Sequence, residues 1–138
     1  MKQKTIFVVD DDPVTQLYVS HALNSTGKYS IETYTNAKAC LINIEHRPNL
    51  IVVNSVFYSS SFKRENTGLD LVRSIATKYP DLPMIVLSAN EGRQDIYNFI
   101  SEGARNYIVK KGDYMPELLC AIEEELEIEK LYQSIKVG

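Results

Sequence analysis

Hydrophobic and polar positions along the chain follow two alternating patterns. Five short segments are rich in β-branched and aromatic residues, and three of them are almost continuously apolar, which is typical of strands covered on both faces. Segments with apolar residues at helical spacing lie between these runs and after the last one. The predicted strands span residues 5–9, 30–34, 50–53, 83–88 and 106–110.

Residues that start and stop helices bound the segments between the strands. Asp12 and Pro13 predict the beginning of the first helix, as its N-cap and first helical residue, and Gly27 predicts its end. Asn36 and Thr67 are expected to cap the second and third helices. The second helix is expected to end before residue 48 and the third near 79–80, while the fourth is predicted at about 91–102 and the last at about 114–134.

Strand and helix therefore alternate five times along the chain. Alternation of buried strands with helices is the signature of right-handed crossover connections and of an open parallel sheet with helices on both faces. Ligands of such sheets bind beyond the carboxyl ends of the strands. We therefore expect an α/β domain whose functional side chains lie at the strand ends.

Composition and charge narrow the class of protein further. The chain has 138 residues, of which 44% are hydrophobic and 24% charged, and this fits one globular domain with a full core. The net charge of −3 gives no attraction to nucleic acid or to anionic lipid, and no apolar run approaches the roughly 20 residues that span a bilayer. We expect a cytoplasmic protein with no nucleic-acid or membrane partner. Cys40 and Cys120 are both expected to be buried free thiols.

Polar residues close four of the five predicted strands. They are Asp10, Asp11 and Asp12 after the first strand, Asn54 after the third, Ser88 at the end of the fourth and Lys110 at the end of the fifth. Each has an ordinary explanation when taken singly, since an Asp before Pro caps a helix, a Ser starts a turn and a Lys is solvated. Their joint occurrence at one sheet edge is what suggests a site.

Five segments in order resemble the receiver domain of bacterial two-component response regulators. They are FVVDDDP (7–13), PNLIVVN (48–54), GLDLVR (68–73), PMIVLSA (83–89) and GARNYIVK (103–110). The resemblance covers about residues 4–130 and implies a flavodoxin-like (βα)5 fold, a three-layer sandwich whose parallel sheet has the strand order 2-1-3-4-5. It leads us to expect a single receiver domain over residues 1–138 with no output domain.

The resemblance also implies a function in phosphorelay signalling, through regulated protein contacts rather than enzymatic turnover. Transfer of a phosphoryl group to an Asp needs a divalent cation held by oxygens, together with fixed groups for the phosphoryl oxygens. By position, Asp11 would be the direct Mg²⁺ ligand, Asp10 a ligand through water and the backbone carbonyl of Val56 a further ligand. Ser88 would hydrogen-bond one phosphoryl oxygen and Lys110 would pair with another.

Asn54 stands at the position that matches the phosphoacceptor Asp. An amide is uncharged and a poor nucleophile, so phosphoryl transfer to this side chain is expected to fail. Two explanations stay open: a natural pseudo-receiver that signals without aspartyl phosphate, or an Asp replaced deliberately to trap an unphosphorylatable form. A histidine kinase or phosphotransfer protein is the expected upstream partner if position 54 is natively an aspartate.

Magnesium binding is expected to be retained but weakened, because the amide oxygen of Asn54 can face a cation but carries no charge. The alternative is that Asp10 and Asp11 only cap the first helix and contact Lys110. Two departures from the family pattern favour a natural pseudo-receiver whose site has lost part of its function. Lys111 replaces the proline that usually follows the lysine, and the segment 55–67 is longer than usual and contains no proline.

Tyr107 and Ser88 match the pair that couples the phosphorylation site of receivers to the face formed by the fourth helix, fifth strand and fifth helix. The alternative is that Tyr107 simply half-buries its ring near the sheet edge. In either case this face is the expected surface for a downstream protein. The end of the last helix is expected to expose Leu131 and Ile135 to a partner or to a second copy of the chain, which makes a homodimer a further candidate.

Two other classes of protein are alternatives to a receiver. A small flavodoxin-like enzyme or nucleotide binder is disfavoured because the sequence contains neither Gly-x-Gly-x-x-Gly nor Gly-x-x-x-x-Gly-Lys-Ser/Thr. In addition, neither His21 nor His46 falls at a strand end, where a catalytic base would be expected. A phosphorylation-independent adaptor that has lost the metal is the other alternative, and it differs from a receiver in showing no Mg²⁺ binding.

Overall fold

The fold comes from a computed structural model, which describes residues 3–57 and 68–137. The strands are β1 (Lys4–Val9), β2 (Tyr29–Tyr34), β3 (Leu50–Asn54), β4 (Met84–Ser88) and β5 (Asn106–Val109). The α-helices are α1 (Pro13–Ser25), α2 (Ala37–Ile42), α3 (Gly68–Lys78), α4 (Arg93–Ser101) and α5 (Met115–Val137). Each strand differs from its predicted span by one residue. The predicted cap at Thr67 and most of the long segment 55–67 lie outside the described residues.

The strands form one parallel sheet in the order β2-β1-β3-β4-β5. This confirms the predicted α/β, flavodoxin-like fold and its strand order. The central strand β3 lies between β1 and β4, and its last residue, Asn54, pairs in register with Leu87 of β4. The polar ends of β1 and β3 are therefore neighbours.

Both faces of the sheet are covered, which explains the continuous apolar runs of the central strands. Successive residues of a strand point to opposite faces. Phe7 and Ile51 accordingly belong to a core formed with α2, α3 and α4, whereas Ile6 and Val52 belong to a second core formed with α1 and α5. The result is the predicted three-layer sandwich.

Helix boundaries agree less closely than strand boundaries. Asp12 caps α1 as predicted, since its carboxylate accepts hydrogen bonds from the backbone N–H groups of Val14 and Thr15. Helix α2 is shorter than predicted because it ends at Ile42 and a 3₁₀ helix (Ile44–His46) follows. Helix α4 is also shorter, and α5 extends to Val137 instead of 134.

The two cysteines differ in environment. Cys40 is fully buried, as predicted, and burial raises the pKa of its thiol to about 12. The predicted burial of Cys120 is wrong, because this residue lies on the exposed side of α5, where its Sγ is 3.4 Å from the Glu124 carboxylate. Both are free thiols.

The end of α5 carries exposed apolar side chains at helical spacing: Ile128, Leu131, Tyr132 and Ile135. The predicted exposure of Leu131 and Ile135 is confirmed, whereas their contact with a partner or a second copy stays a prediction. Within the described ranges, no helix has both the length and the apolar character needed to cross a membrane.

Gly68 allows α3 to begin directly against the end of β3. Its backbone N–H donates to the carbonyl oxygen of Ser55 at 3.1 Å. A Cβ on this residue would overlap the carbonyl oxygen of Asn54 and would lie 2.8 Å from that of Ser55. These are backbone atoms, which cannot rotate away as a side chain could. The close packing of Gly68 therefore holds in place the strand end that carries Asn54.

Substitution Gly68→Ala is expected to destabilise the fold. Relief of the overlap needs movement of α3 or of the β3 end, and overpacking of this kind costs about 1–3 kcal/mol. Urea unfolding measures the change. The exposed α3 substitution Ser74→Ala is the matched control, for which a change within about 0.5 kcal/mol is expected. Equal stability of the two variants would contradict the prediction.

Candidate functional site

The carboxyl ends of β1, β3, β4 and β5 bring four of the predicted site residues to one edge of the sheet. They are Asp10, Asn54, Ser88 and Lys110. Parallel strands all end at the same edge, which is why side chains so distant in sequence meet. Asp10 and Asn54 are buried, and Ser88 is fully buried.

The Asn54 amide lies where the ends of three strands meet, and both its nitrogen and its oxygen form hydrogen bonds. Its Nδ2 donates to the carbonyl oxygen of Val56 at 2.7 Å and lies 3.3 Å from Oδ1 of Asp10. Its Oδ1 accepts from Nζ of Lys110 at 3.0 Å. The opposite orientation would set two oxygens against each other at Val56 and two donors against each other at Lys110. The contacts therefore fix which end of the amide faces which partner.

Asp10 is only 3% exposed and takes part in the same network. Its Oδ1 accepts the backbone N–H of Asp12 at 2.9 Å, and its Oδ2 lies 3.4 Å from Nζ of Lys110. Burial raises the pKa of Asp10 and is opposed by the Asp12 N–H and by Lys110, while the neighbouring charge of Asp11 raises it further. Asp11 itself is half-buried beside this network.

The predicted Mg²⁺ ligands do not fit a cation in this arrangement. Mg²⁺ requires oxygen ligands in near-octahedral geometry. The Val56 carbonyl already accepts a hydrogen bond from Asn54, whose N–H group also faces Asp10. An N–H donor thus stands among the oxygens that a cation would share. No cluster of three or more His, Cys, Asp or Glu side chains suited to a metal occurs in the described part of the chain.

Ser88 is engaged by a residue to which the sequence analysis gave no role. Ser55 is buried, and its Oγ donates to Oγ of Ser88 at 2.7 Å. Oγ of Ser88 also accepts the backbone N–H of Asn90 at 3.0 Å. The signal that could have found Ser55 is the strand register: Asn54 pairs with Leu87, so the next residues, Ser55 and Ser88, lie side by side.

Tyr107 lies beyond Ser88, half-buried, with its phenol directed at the start of α4. The phenol oxygen is 2.6 Å from the carbonyl oxygen of Asn90 and 2.8 Å from Oδ2 of Asp95. Burial raises the pKa of Tyr107 to about 12; a hydrogen bond from Ser88 acts in the opposite direction, and Asp95 adds to the increase. Sequence analysis missed Asp95, because nothing in the local pattern places α4 against this phenol.

Comparison with known proteins identifies the family to which the chain is similar. The family model of the response regulator receiver domain matches residues 6–123. The chain is 28% identical over 132 residues to the nitrogen assimilation regulatory protein NtrX of Azorhizobium caulinodans. It is 27% identical over 106 residues to the probable transcriptional regulatory protein TcrX of Mycobacterium tuberculosis. These matches cover 95% and 77% of this chain but 28% and 43% of the relatives, so the chain spans less than half of their length.

Solved structures agree. NtrX from Brucella abortus has a TM-score of 0.85 at 26% identity, over 98% of this chain and 29% of that chain. A CheY-like receiver domain protein from Methanospirillum hungatei has a TM-score of 0.83 over 95% of this chain and 99% of that chain, and its 23% identity shows the fold alone.

Receiver domains typically bind Mg²⁺ at the phosphorylation site and are generally signalling modules rather than enzymes. The family model spans all five strands of the sheet from Ile6 onward, together with the strand ends that gather the polar residues. The chain therefore belongs to the response regulator receiver domain family of two-component signalling.

Proposed function

We propose that this receiver domain signals through protein contacts without forming an aspartyl phosphate. The observation that carries the proposal is the Asn54 amide, which is uncharged and engaged at both ends, by Val56 and Asp10 on one side and by Lys110 on the other. An amide so placed offers no nucleophilic oxygen to a phosphoryl donor. The proposal holds both for a natural pseudo-receiver and for a form in which an aspartate has been replaced.

In this proposal the hydrogen bonds of Asn54 hold the pocket together. Its N–H group attracts the Asp10 carboxylate, and Lys110 supplies the positive charge. A cation shared by Asp10, Asp11 and the Val56 carbonyl would have to displace this N–H group. Turning the amide over would then set its nitrogen against Lys110. We therefore expect the Mg²⁺ affinity of this protein to be even lower than the weakened affinity predicted from the sequence.

The output surface in this proposal is the face formed by α4, β5 and α5. Tyr107 on β5 contacts Asp95 on α4 and the carbonyl oxygen of Asn90, and the Asn90 N–H donates to Ser88 of the pocket. Tyr97 and Ile100 on α4 expose apolar surface that suits a downstream protein. A histidine kinase or phosphotransfer protein is an upstream partner only for a form with Asp at position 54. A cytoplasmic location, action as a stand-alone receiver, a homodimer and the lack of nucleic-acid or membrane partners stay predictions.

The phosphorylation-independent adaptor that has lost the metal is the second candidate, and the N–H group of Asn54 beside Asp10 and the Val56 carbonyl favours it. The two candidates differ in whether the protein retains any Mg²⁺ binding. Turnover of a nucleotide or an ester would instead support the flavodoxin-like enzyme.

Treatment with acetyl phosphate and Mg²⁺ is expected to leave the protein unmodified, whereas Asn54→Asp is expected to gain one phosphoryl group. The reason is that a carboxylate restores the nucleophile beside Lys110. Intact-protein mass spectrometry measures the gain, and Asn54→Ala is the control that should gain none. Phosphorylation of the unaltered protein would overturn the proposal. An inert Asn54→Asp would mean that Asn54 is not the sole missing part.

Removal of Mg²⁺ is expected to leave the melting temperature of the protein unchanged but to lower that of Asn54→Asp. Asp at this position has no N–H group for the Val56 carbonyl and adds a carboxylate beside Asp10. The Val56 carbonyl is partly buried, so the cost of leaving it unsatisfied lies below the roughly 1–3 kcal/mol of a fully buried acceptor. Thermal unfolding in EDTA and in Mg²⁺ measures the difference.

Asp12→Asn is the matched control for this experiment. It changes a carboxylate of the same loop that caps α1 outside the network, and Asn is an equally good cap. Neither this variant nor the unaltered protein should respond to Mg²⁺. A rise in the melting temperature of the unaltered protein with Mg²⁺, equal to that of Asn54→Asp, would show that the amide does not close the site.

A further inference from the structure

A groove of about 1030 Å³ lies at the amino-terminal edge of the sheet, opposite the edge that carries Asn54. The loop before β3 (44–49) and the loop before β4 (79–83) form two of its walls, and the second half of α5 forms a third. That half of α5 lies beyond residue 123, where the match to the family model ends. The groove therefore depends on a part of the chain that the family match does not include.

The groove has an apolar floor and a charged rim. Buried and half-buried side chains form the floor: Ile44, Pro48, Tyr79, Leu82, Pro83 and Leu126. Exposed basic side chains from four different segments stand on the rim: Lys4, Arg47, Lys78 and Lys130. A molecule that fits this groove would place apolar groups at the bottom and negative charges along its sides.

The positive charges of the rim are not neutralised by the described part of the chain. None of the four basic residues belongs to an ion pair within residues 3–57 and 68–137. Of the acids that line the groove, Asp81 is paired with Lys136 at 2.9 Å. Glu129 is paired with Arg105 at 3.1 Å, which leaves Glu45. Positive charge is thus concentrated here, in a chain whose net charge is −3.

Arg47 stands on the rim in a backbone conformation that is costly for an arginine. It follows the 3₁₀ helix with a φ of 53°, in the left-handed region, and its N–H donates to the Ile44 carbonyl at 3.0 Å. Among the described residues other than glycine, it alone has a positive φ. Glycine or asparagine usually takes such a position, because a Cβ is strained there. An arginine at this point indicates that its side chain serves a purpose besides the turn.

We propose that this groove binds an acidic segment of a partner protein in which Asp or Glu residues flank apolar side chains. The apolar side chains of the segment occupy the floor, and its carboxylates pair with Arg47, Lys78 and Lys130 at the rim. A small phosphate is a poorer match, because it needs several donors at one point, whereas these cations come from different segments around an apolar floor. The inference goes beyond the proposed function and is independent of it, since Asn54 lies at the opposite edge of the sheet.

Fluorescence anisotropy with labelled synthetic peptides tests the inference. A peptide that repeats Glu-Leu-Leu-Glu should bind the protein saturably, and its affinity should fall as salt is raised. Peptides that repeat Glu-Ser-Ser-Glu or Lys-Leu-Leu-Lys are the matched controls and should bind far more weakly, since the first lacks apolar groups and the second carries the opposite charge. Absence of saturable binding of the Glu-Leu-Leu-Glu peptide up to about 1 mM would overturn the inference.

Lysine variants show whether the peptide occupies this groove. Lys78→Ala and Lys130→Ala remove exposed charges and should each weaken binding about two- to fivefold, as expected for exposed ion pairs. Lys111→Ala is the matched control, because it removes an exposed lysine at the opposite edge of the sheet, and it should leave the affinity unchanged. Equal affinity of all three variants would overturn the inference, because the peptide would then bind elsewhere.

Arg47→Gly separates the contribution of the side chain from that of the turn. Glycine adopts a positive φ without strain, so this variant should melt at the same or a higher temperature. Its affinity for the peptide should nevertheless fall about two- to fivefold, as for the lysines. Unchanged affinity would contradict the role given to Arg47.

Other occupants of the groove would give different results. Self-association that is lost in Lys78→Ala and Lys130→Ala would assign the groove to a second copy of the chain and overturn the proposed partner. Binding of single-stranded DNA at least as tight as that of the peptide would overturn it too. None of these results depends on phosphorylation at position 54, so failure of the inference leaves the proposed function intact.

Discussion

The amide of Asn54 joins three strand ends because its two ends have opposite hydrogen-bonding character. The nitrogen donates to the Val56 carbonyl and towards Asp10, and the oxygen accepts from Lys110. A carboxylate could accept from Lys110 in the same way, but it has no proton for the carbonyl and would repel Asp10. A carboxylate at position 54 would therefore need a cation to offset its repulsion from Asp10, at the point where the amide supplies an N–H donor. The neutral side chain thus lets the pocket close with groups of the chain alone.

Closure of this kind matters because buried polar groups are costly when they lack partners. Over residues 3–57 and 68–137, every buried side-chain nitrogen or oxygen has a hydrogen-bond partner. Ser55 and Ser88 satisfy each other beneath the pocket, and Lys110 is shared between Asn54 and Asp10. Hydrogen bonds therefore link these polar residues at the sheet edge to one another.

The sequence predicted the elements and the location of the site better than its contacts. Short runs rich in β-branched and aromatic residues identified the strands, three of them almost continuously apolar, and parallel strands necessarily bring Asp10, Asn54 and Lys110 to one edge. The strand order came from family resemblance, because periodicity carries no information on neighbours. Cys120 was misplaced because apolar neighbours in sequence were taken as a sign of burial, whereas it lies two positions from Leu118 and so faces away from the buried stripe of Leu118, Ala121 and Ile122. The Ser55–Ser88 contact needed the strand register, and the amide orientation needed distances that only three-dimensional coordinates give.

Adjacent residues at the end of β3 serve two separate networks, and the geometry of an extended chain explains why. Successive side chains point to opposite sides, so Asn54 faces Asp10 and Lys110 while Ser55 faces Ser88. The first network supplies a donor to the Val56 carbonyl, and the second joins the hydroxyls of Ser55 and Ser88. They share the backbone of residues 54 and 55, whose carbonyl oxygens both lie against Gly68. The start of α3 therefore packs directly against the strand end that supplies both networks.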